Sequence, residues 1–352
     1  MGKNKPSAIV AQIPQVQLGD WPTPVHPVDI DPKSGISPNI RLFVKREDIS
    51  GRIYGGNKIR KLEVILAMAK RRWGDGRPQL LTIGAAGSHH VLATSLYGAQ
   101  HNIDTHAVLT PQPMTNHVQT NLHWTHRLAA STWPCPWIPL VPWTGIRAWS
   151  AIRKHQQKSP LIIPAGGSSL EGVLGSMRLG LEIGQDIERG NIPMPDHIYV
   201  ALGTGGTAAG LLLGARLAGV TSEIVAVRVV HRVWGHRHTV LRLAKTAARW
   251  LHRHEISPPS LAGLRVIHDH AGHGYGHPLG TTPSILDESL ATEPTYTGKT
   301  LAACIRDLNA DHTPRNVLFV HTANTRPPPP DILNAAVPPS LLALLRPTRT
   351  SP

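Results

Sequence analysis

His197-Ile-Tyr-Val-Ala-Leu-Gly-Thr-Gly-Gly-Thr-Ala-Ala-Gly210 is the stretch that decides the fold. His197 to Leu202 is an apolar run of strand length, Gly203 to Thr207 is a glycine-rich turn, and an Ala/Leu/Gly helical pattern continues to about Ala218. A strand that enters a helix through a glycine turn is the unit of parallel α/β sheets, which bind ligands at the carboxyl ends of their strands. The N–H groups of such a turn, with the hydroxyls of Thr204 and Thr207, suit a dianionic phosphate. The turn lacks the Gly-Lys-Ser/Thr ending of a nucleotide loop. It fits the looser dinucleotide pattern, but Glu223 precedes its strand, whereas a ribose-binding acid belongs at the strand's end. A phosphate cup is the favoured reading. Tight packing through the glycines is the alternative.

The same alternation extends in both directions. Arg41 to Lys45, Gln79 to Ile83, Thr105 to Leu109, Leu161 to Ile163, Ile224 to Val230 and Val317 to Val320 read as further strands. Gly84-Ala-Ala-Gly87 leads into a helical stretch from Ser88 to Gln100, and Pro111-Gln-Pro113 closes the strand before it. The chain is therefore expected to be α/β with largely parallel sheets. Its 352 residues exceed one core and predict two domains. After Arg326 a proline-rich tail begins with Pro327-Pro-Pro-Pro330 and carries an apolar patch at Leu341 to Leu345. It is expected to pack on the body, a PxxP ligand being the weaker reading.

Composition excludes several classes. Hydrophobic residues make up 41%, enough for a large core, so wholesale disorder is excluded. No apolar run approaches the roughly 20 residues of a membrane span. The first residues carry charge without an apolar stretch behind them, so neither a secretory signal nor, with Pro6, a myristoylation site is expected. Two cysteines, Cys135 and Cys304, make no disulfide framework, and a cytoplasmic setting follows as the expectation. The net charge of +14 is scattered, and its densest segment, His231 to His254, reads as a solvated Arg-rich helix face rather than a nucleic-acid site. Among 21 histidines, the His268, His270, His273 and His277 cluster has no metal-ligand spacing, and no metal is expected.

Val44-Lys-Arg-Glu-Asp-Ile-Ser-Gly51 precedes Gly55-Gly-Asn-Lys-Ile-Arg-Lys-Leu-Glu63. A lysine directly after Gly-Gly-Asn at a helix start sits where a ligand can approach the backbone closely. Burial, the helix's positive end and the neighbouring Arg60 and Lys61 would lower the pKa of Lys58, as a Schiff-base lysine requires. A solvated cap is the plainer alternative for this residue alone.

These segments, in their order, resemble one family. Lys45-Arg-Glu-Asp48, Gly55-Gly-Asn-Lys58, Gly203-Thr-Gly-Gly-Thr207, Gly274-Tyr-Gly276 and Pro294-Thr-Tyr-Thr-Gly-Lys299 are similar to motifs of the 1-aminocyclopropane-1-carboxylate deaminase / D-cysteine desulfhydrase family, and Asp20-Trp-Pro-Thr-Pro-Val25 resembles its amino-terminal Pro-Thr-Pro-Leu. The resemblance spans about residues 13 to 325. It implies a pyridoxal 5'-phosphate enzyme of the tryptophan synthase beta-like fold type II, a two-domain three-layer α/β/α architecture. Residues 1–60 and 165–325 would form the large cofactor-binding domain, 61–164 the small domain, and 326–352 the tail. A homodimer acting on a small amino acid is implied, without nucleic acid or membrane.

The resemblance also implies roles. Lys58 would carry the cofactor and move the substrate's Cα proton, with Asn57 and His89 beside it. Gly203, Thr204, Gly205, Gly206 and Thr207 would cup the phosphate. Ser88, at a helix start, would face the substrate carboxylate, and Tyr275 and Tyr296 would line the substrate side. Thr297 matches the residue facing the pyridine nitrogen, where the deaminase type has Glu. A hydroxyl leaves the ring closer to neutral, which suits β-elimination from D-cysteine or a related β-substituted amino acid. Aminocyclopropane-carboxylate deamination is the alternative reaction, and a catalytically lapsed relative with a basic surface the alternative to an enzyme. Three departures bear on the substrate. His89 stands in place of Asn, Gly87 in place of Gln is expected to enlarge or rewire the pocket, and His321-Thr-Ala-Asn324 in place of His-Thr-Gly-Gly is expected to change the backbone.

Overall fold

The computed structural model describes residues 11–30, 36–230, 234–269, 292–293, 296–310, 315–326 and 336–347. Along the chain these form β1 (Val25–Val28), β2 (Arg41–Lys45), α1 (Lys58–Trp73), β3 (Gln79–Ala85), α2 (His89–Gln100), β4 (Asp104–Thr110), β5 (Gln112–Pro113), α3 (Asn116–Leu128), β6 (Ser131–Pro134), α4 (Val141–Gln156), β7 (Leu161–Ile163), α5 (Leu170–Glu188), β8 (His197–Leu202), α6 (Gly206–Leu217), β9 (Glu223–Arg228), α7 (Arg237–Arg253), β10 (Leu264–Ile267), α8 (Thr297–Ala310), β11 (Asn316–Val320), α9 (Pro339–Leu342) and β12 (Leu345–Arg346). They divide into two compact units.

The first unit contains residues 19–61 and 170–326. Its sheet runs β1-β2-β11-β8-β9-β10, parallel throughout except for β1 against β2. Strands of such a sheet are buried on both faces and therefore read as continuous apolar runs. Leu42, Val44, Tyr199, Val225, Val227, Val317 and Phe319 pack on Leu301, Cys304, Ile305 and Leu308 of α8. The alternate residues Ile198, Val200, Ile224 and Ala226 point the other way and are equally buried, on the face that α6 lies against. On α7, Val240, Ala244, Ala247 and Leu251 are inward and the arginines lie on the other side, the solvated face expected for this segment.

α5 and α6 approach each other through glycines. A Cβ at Gly214 would stand 1.9 Å from the Met177 carbonyl oxygen, and one at Gly210 would stand 2.4 Å from Ser176 Cβ. Gly210 thus follows the packing alternative. Gly205 does not: its φ of +92° is a conformation only glycine adopts without strain. The glycine segment has two separate purposes.

The second unit contains residues 14–18, 62–169 and 327–352. Its four-stranded parallel sheet is ordered β6-β4-β3-β7. On one face Ala86, Val91, Ala107, Leu109 and Leu122 pack with Val337, Leu341 and Leu344 of the tail. On the other, Leu81, Val108 and Cys135 pack with Ala148 and Ile152 of α4. Pro111-Gln-Pro113 does more than close a strand, because Gln112–Pro113 pairs in parallel with Leu345–Arg346. The tail residues 336–347 are thus part of this unit's core and sheet structure, while Pro327 to Pro330 lie outside the described residues. No helix among the described residues is long and apolar enough to cross a membrane.

Candidate active site

In the first unit, the turn before α1 is held from three sides. A Cβ at Gly55 would stand 1.9 Å from the Asp48 carbonyl oxygen, and Gly56 has a φ of +90°. Gly56 N–H donates to the Glu47 carbonyl, Asn57 N–H donates to the Thr322 carbonyl at 3.2 Å, and Gly55 N–H donates to Asn324 Oδ1 at 2.6 Å. Neither Ala323 nor Asn324 adopts a positive φ, and the Asn324 amide grips the turn directly.

Lys58 opens α1 from this turn. Its Nζ donates to Asn57 Oδ1 at 2.8 Å, while Asn57 Nδ2 donates to Thr207 Oγ1 at 2.8 Å. One amide thus joins the lysine to the start of α6. The Lys58 ammonium lies 5.9 Å from the Tyr296 ring centroid, and a Cβ at Gly203 would be 3.8 Å from the same ring. Burial lowers the Lys58 pKa to about 8, and Glu293 acts in the opposite direction. The expected help from Arg60 and Lys61 is not the cause. Arg60 is itself paired with two carboxylates, and Lys61 is buried and pushed well below its ordinary value, by desolvation first and Lys58 second.

Glu293 is a site residue that the sequence reading missed. Its Oε1 accepts from the N–H groups of Tyr296 (2.6 Å) and Thr297 (2.9 Å), and Thr297 Oγ1 accepts from Glu293 N–H at 3.1 Å. This is the reciprocal pattern of a capping box, and a Glu four residues before a helix's first residue was the available signal. It orients the start of α8, where Thr297 is fully buried. Lys299, also fully buried, has its pKa lowered to about 8 by desolvation, again opposed by Glu293.

The motif Lys45-Arg-Glu-Asp48 proves to be the support of this site. Lys45 Nζ bridges Glu182 and Asp186 at 2.7 Å each. Arg60 forks onto Glu47 at 2.7 and 2.8 Å and reaches Glu182 Oε2 at 2.9 Å. Thr23 Oγ1 donates to Glu47 at 2.8 Å, its N–H donates to Glu182 at 2.7 Å, and the Trp21 ring stacks 3.9 Å from the guanidinium. The amino-terminal Trp-Pro-Thr segment therefore belongs to the same buried network.

Ser88 and His89 lie in the second unit. Ser88 is the N-cap of α2, its Oγ accepting from Val91 N–H at 3.4 Å. His89 Nε2 stands 2.8 Å from His117 Nε2. Asn121 Nδ2 donates to the Gly87 carbonyl at 2.9 Å and lies 3.2 Å from His117 Nε2. The carbonyl fixes the amide's orientation, so His117 Nε2 is an acceptor and the proton between the rings belongs to His89. Burial lowers the His117 pKa. The neutral ring stabilises the fold above pH 6.5, and this contribution is lost as pH falls below that value. Imidazole ¹⁵N spectra are expected to show His117 as the Nδ1–H tautomer, with the neutral form in the majority at pH 6.5. Protonation of His117 above 6.5 would contradict the assignment. Gly87 is buried, and a Cβ there would stand 2.8 Å from Val118 Cα, so the close approach of α3 requires glycine at this position. Tyr275 and Gly274-Tyr-Gly276 lie outside the described residues.

The first unit thus brings Asn57, Lys58, Gly203, Thr207, Tyr296 and Thr297 into one constellation. A neutralisable amine, joined through one amide to a glycine turn at a helix N-terminus, fits a phosphate ester bearing an aldehyde. Among the described residues no group of three or more His, Cys, Asp or Glu could hold a metal ion.

A family model described as "Pyridoxal-phosphate dependent enzyme" matches residues 16–323. D-cysteine desulfhydrase of Salmonella paratyphi A is 28% identical over 327 residues, covering 89% of this chain and 94% of that protein. A putative 1-aminocyclopropane-1-carboxylate deaminase of Pyrococcus abyssi is 26% identical over 340 residues, covering 90% and 94%. The solved structure of an ACC deaminase homologue superposes with a TM-score of 0.77 at 26% identity, covering 93% of this chain and 96% of that one. A pyridoxal 5'-phosphate-dependent aspartate racemase, at TM-score 0.57, 14% identity and coverage of 86% and 90%, shares the fold.

Proposed function

The chain belongs to the pyridoxal-phosphate dependent enzyme family, with the fold type II architecture, and from that premise we propose that it catalyses β-elimination on D-cysteine or a related small β-substituted amino acid. The products are pyruvate and ammonia, with sulfide from cysteine. Bound pyridoxal phosphate supplies an electron sink for the Cα carbanion. Lys58 would hold the cofactor and, as a neutral amine, would take the Cα proton. Asn57 keeps that amine in register with the phosphate cup at Gly203 to Thr207. By the resemblance, Ser88 would hold the substrate carboxylate, His89 would act on the cofactor, and Tyr275 and Tyr296 would serve the substrate side, where a phenol can give a proton to the departing thiolate.

The observation that carries elimination over ring opening is Thr297. It is fully buried, its neutral hydroxyl is bonded to the Glu293 backbone, and by the resemblance it matches the position at which the deaminase type has a carboxylate. A weaker electron sink suffices when a leaving group departs as the proton is removed. The resemblance and the curated relative support the same assignment. A homodimer in the cytoplasm completes the reading, and two buried free cysteines suit a reducing compartment.

Purified protein incubated with D-cysteine is expected to release equal amounts of pyruvate and sulfide. Release of 2-oxobutanoate from aminocyclopropane-carboxylate, with no turnover of D-cysteine, would reverse the order of the two reactions.

A further inference from the structure

The turn that leads into α2 is gripped through one peptide. Gly87 N–H donates to Gln112 Oε1 at 2.9 Å, and the Gly87 carbonyl accepts from Asn121 Nδ2 at 2.9 Å. Gln112 and Asn121 are each 4% exposed, so water does not compete for either bond. On either side, Ala86 N–H donates to the Thr110 carbonyl and Ser88 N–H to the Ala85 carbonyl, both at 2.9 Å. Rotating the Gly87 peptide would leave a buried donor and a buried acceptor unpaired. The place of the next residue, Ser88, at the start of α2 is therefore set by one side chain from β5 and one from α3.

Gln112 is itself placed by the carboxyl-terminal segment. Pro111 and Pro113 have no N–H, so Gln112 and Met114 hold the only backbone donors of Pro111–Met114. Both go to the tail, Gln112 N–H to the Leu344 carbonyl at 3.0 Å and Met114 N–H to the Arg346 carbonyl at 2.7 Å. The parallel register sets Leu345 opposite Gln112. Alternate prolines thus leave a strand whose remaining donors all pair with the tail. Burial fastens the same segment: Leu341 and Leu344 are each 1% exposed and pack in one cluster with Ala86, Val91 and Leu122. The tail therefore bears on the turn by two routes, the apolar cluster that contains Ala86 and the Gln112 side chain on Gly87. It lies beyond the residues that carry the resemblance, which end at about residue 325.

We propose that residues 337–346 are a strap that holds the Gly87–Ser88 turn through Gln112, and that Gln112 is a positioning residue for the group that receives the substrate carboxylate. The inference rests on the proposed role of Ser88 and adds what fixes that residue in place. An anion at a helix start needs the hydroxyl and N–H groups there in register, and a misplacement of about 1 Å costs up to about 100-fold. The test compares full-length wild type with Gln112→Leu and with Leu341→Ala/Leu344→Ala, all with cofactor bound. Gln112→Leu keeps the side chain's size and removes its acceptor. The tail variant keeps Gln112 and weakens what places it. Hydrogen exchange over residues 83–92, followed by mass spectrometry, is expected to quicken at least about 10-fold in both variants. Visible cofactor absorption is expected to stay unchanged, because Asn57, Lys58 and Thr207 lie in the first unit. The KM for D-cysteine is expected to rise about 10-fold or more, with kcat within about 3-fold of wild type. Loss of folded protein alone would lower kcat and leave KM where it was. Where the double tail variant loses its circular dichroism, Leu344→Ala alone supplies the same comparison. Fast exchange in Gln112→Leu with wild-type exchange in the tail variant would overturn the strap. Fast exchange in both with an unchanged KM would overturn the positioning role. A wild type that carries the cofactor but turns over no amino acid would overturn the role of Ser88 and of Gln112 toward substrate, and the exchange rates would still decide whether the tail holds the turn.

Discussion

Lys58→Ala is expected to abolish the visible absorption of the bound cofactor and to lower pyruvate release from D-cysteine by about 10⁴-fold or more, since one amine is both anchor and base. Lys58→Arg is expected to fail equally, because a guanidinium keeps the charge and is never the neutral nucleophile. The pH dependence is the sharper check. Burial brings Lys58 to about 8, so the neutral amine grows roughly tenfold per pH unit below that value and levels off above it. Uptake of pyridoxal phosphate by the cofactor-free protein is expected to follow this curve. A rise that continued to the ordinary lysine value would mean a solvated amine. Glu293 raises the Lys58 pKa, so Glu293→Gln is expected to move the plateau to lower pH.

What could be read from the sequence divides along physical lines. The strands around the first site were legible because parallel strands buried on both faces are continuous apolar runs: Arg41 to Lys45 and His197 to Leu202 agree with the structure residue for residue. The strand read to Val230 ends at Arg228, since an apolar run does not record where hydrogen bonding stops. Glycine was legible as a signal but not as a purpose. Gly205 needs a left-handed backbone, Gly210 a close helix contact and Gly87 the approach of Val118, and one letter stands for all three. Partners distant in sequence were not legible at all. Lys45 and Arg60 find Glu182 more than a hundred residues away, and His89 meets His117 from another helix. The order of motifs stated that these segments belong together, but only the fold states that Thr23 and Glu47 hold the arginine two residues beyond Lys58.

Glu182→Ala is accordingly expected to destabilise the protein by about 3–5 kcal/mol, measured by urea unfolding. It removes the carboxylate shared by Lys45 and Arg60, two side chains that are 0% and 1% exposed, and leaves both cations short of a partner where water cannot replace it. Glu188→Ala, at the exposed end of the same helix, is expected to stay within about 0.5 kcal/mol. Burial alone would raise the Glu182 pKa, but Arg60 and Lys45 outweigh it and hold the carboxyl below its ordinary value. Its contribution is therefore present above the ordinary carboxylate range and is lost as pH falls through the lowered value. Glu182→Gln is expected to flatten that part of the acid-unfolding curve. The effect reaches the reaction through one turn of helix. Arg60 and Lys58 share the first turn of α1, so removing one of the guanidinium's two carboxylates, with Glu47 still bound, loosens the amine that Asn57 holds at 2.8 Å. A loss of kcat of about 10-fold or more, with KM little changed, would mark Glu182 as a positioning residue. An unchanged kcat in folded Glu182→Gln protein would confine the network to stability.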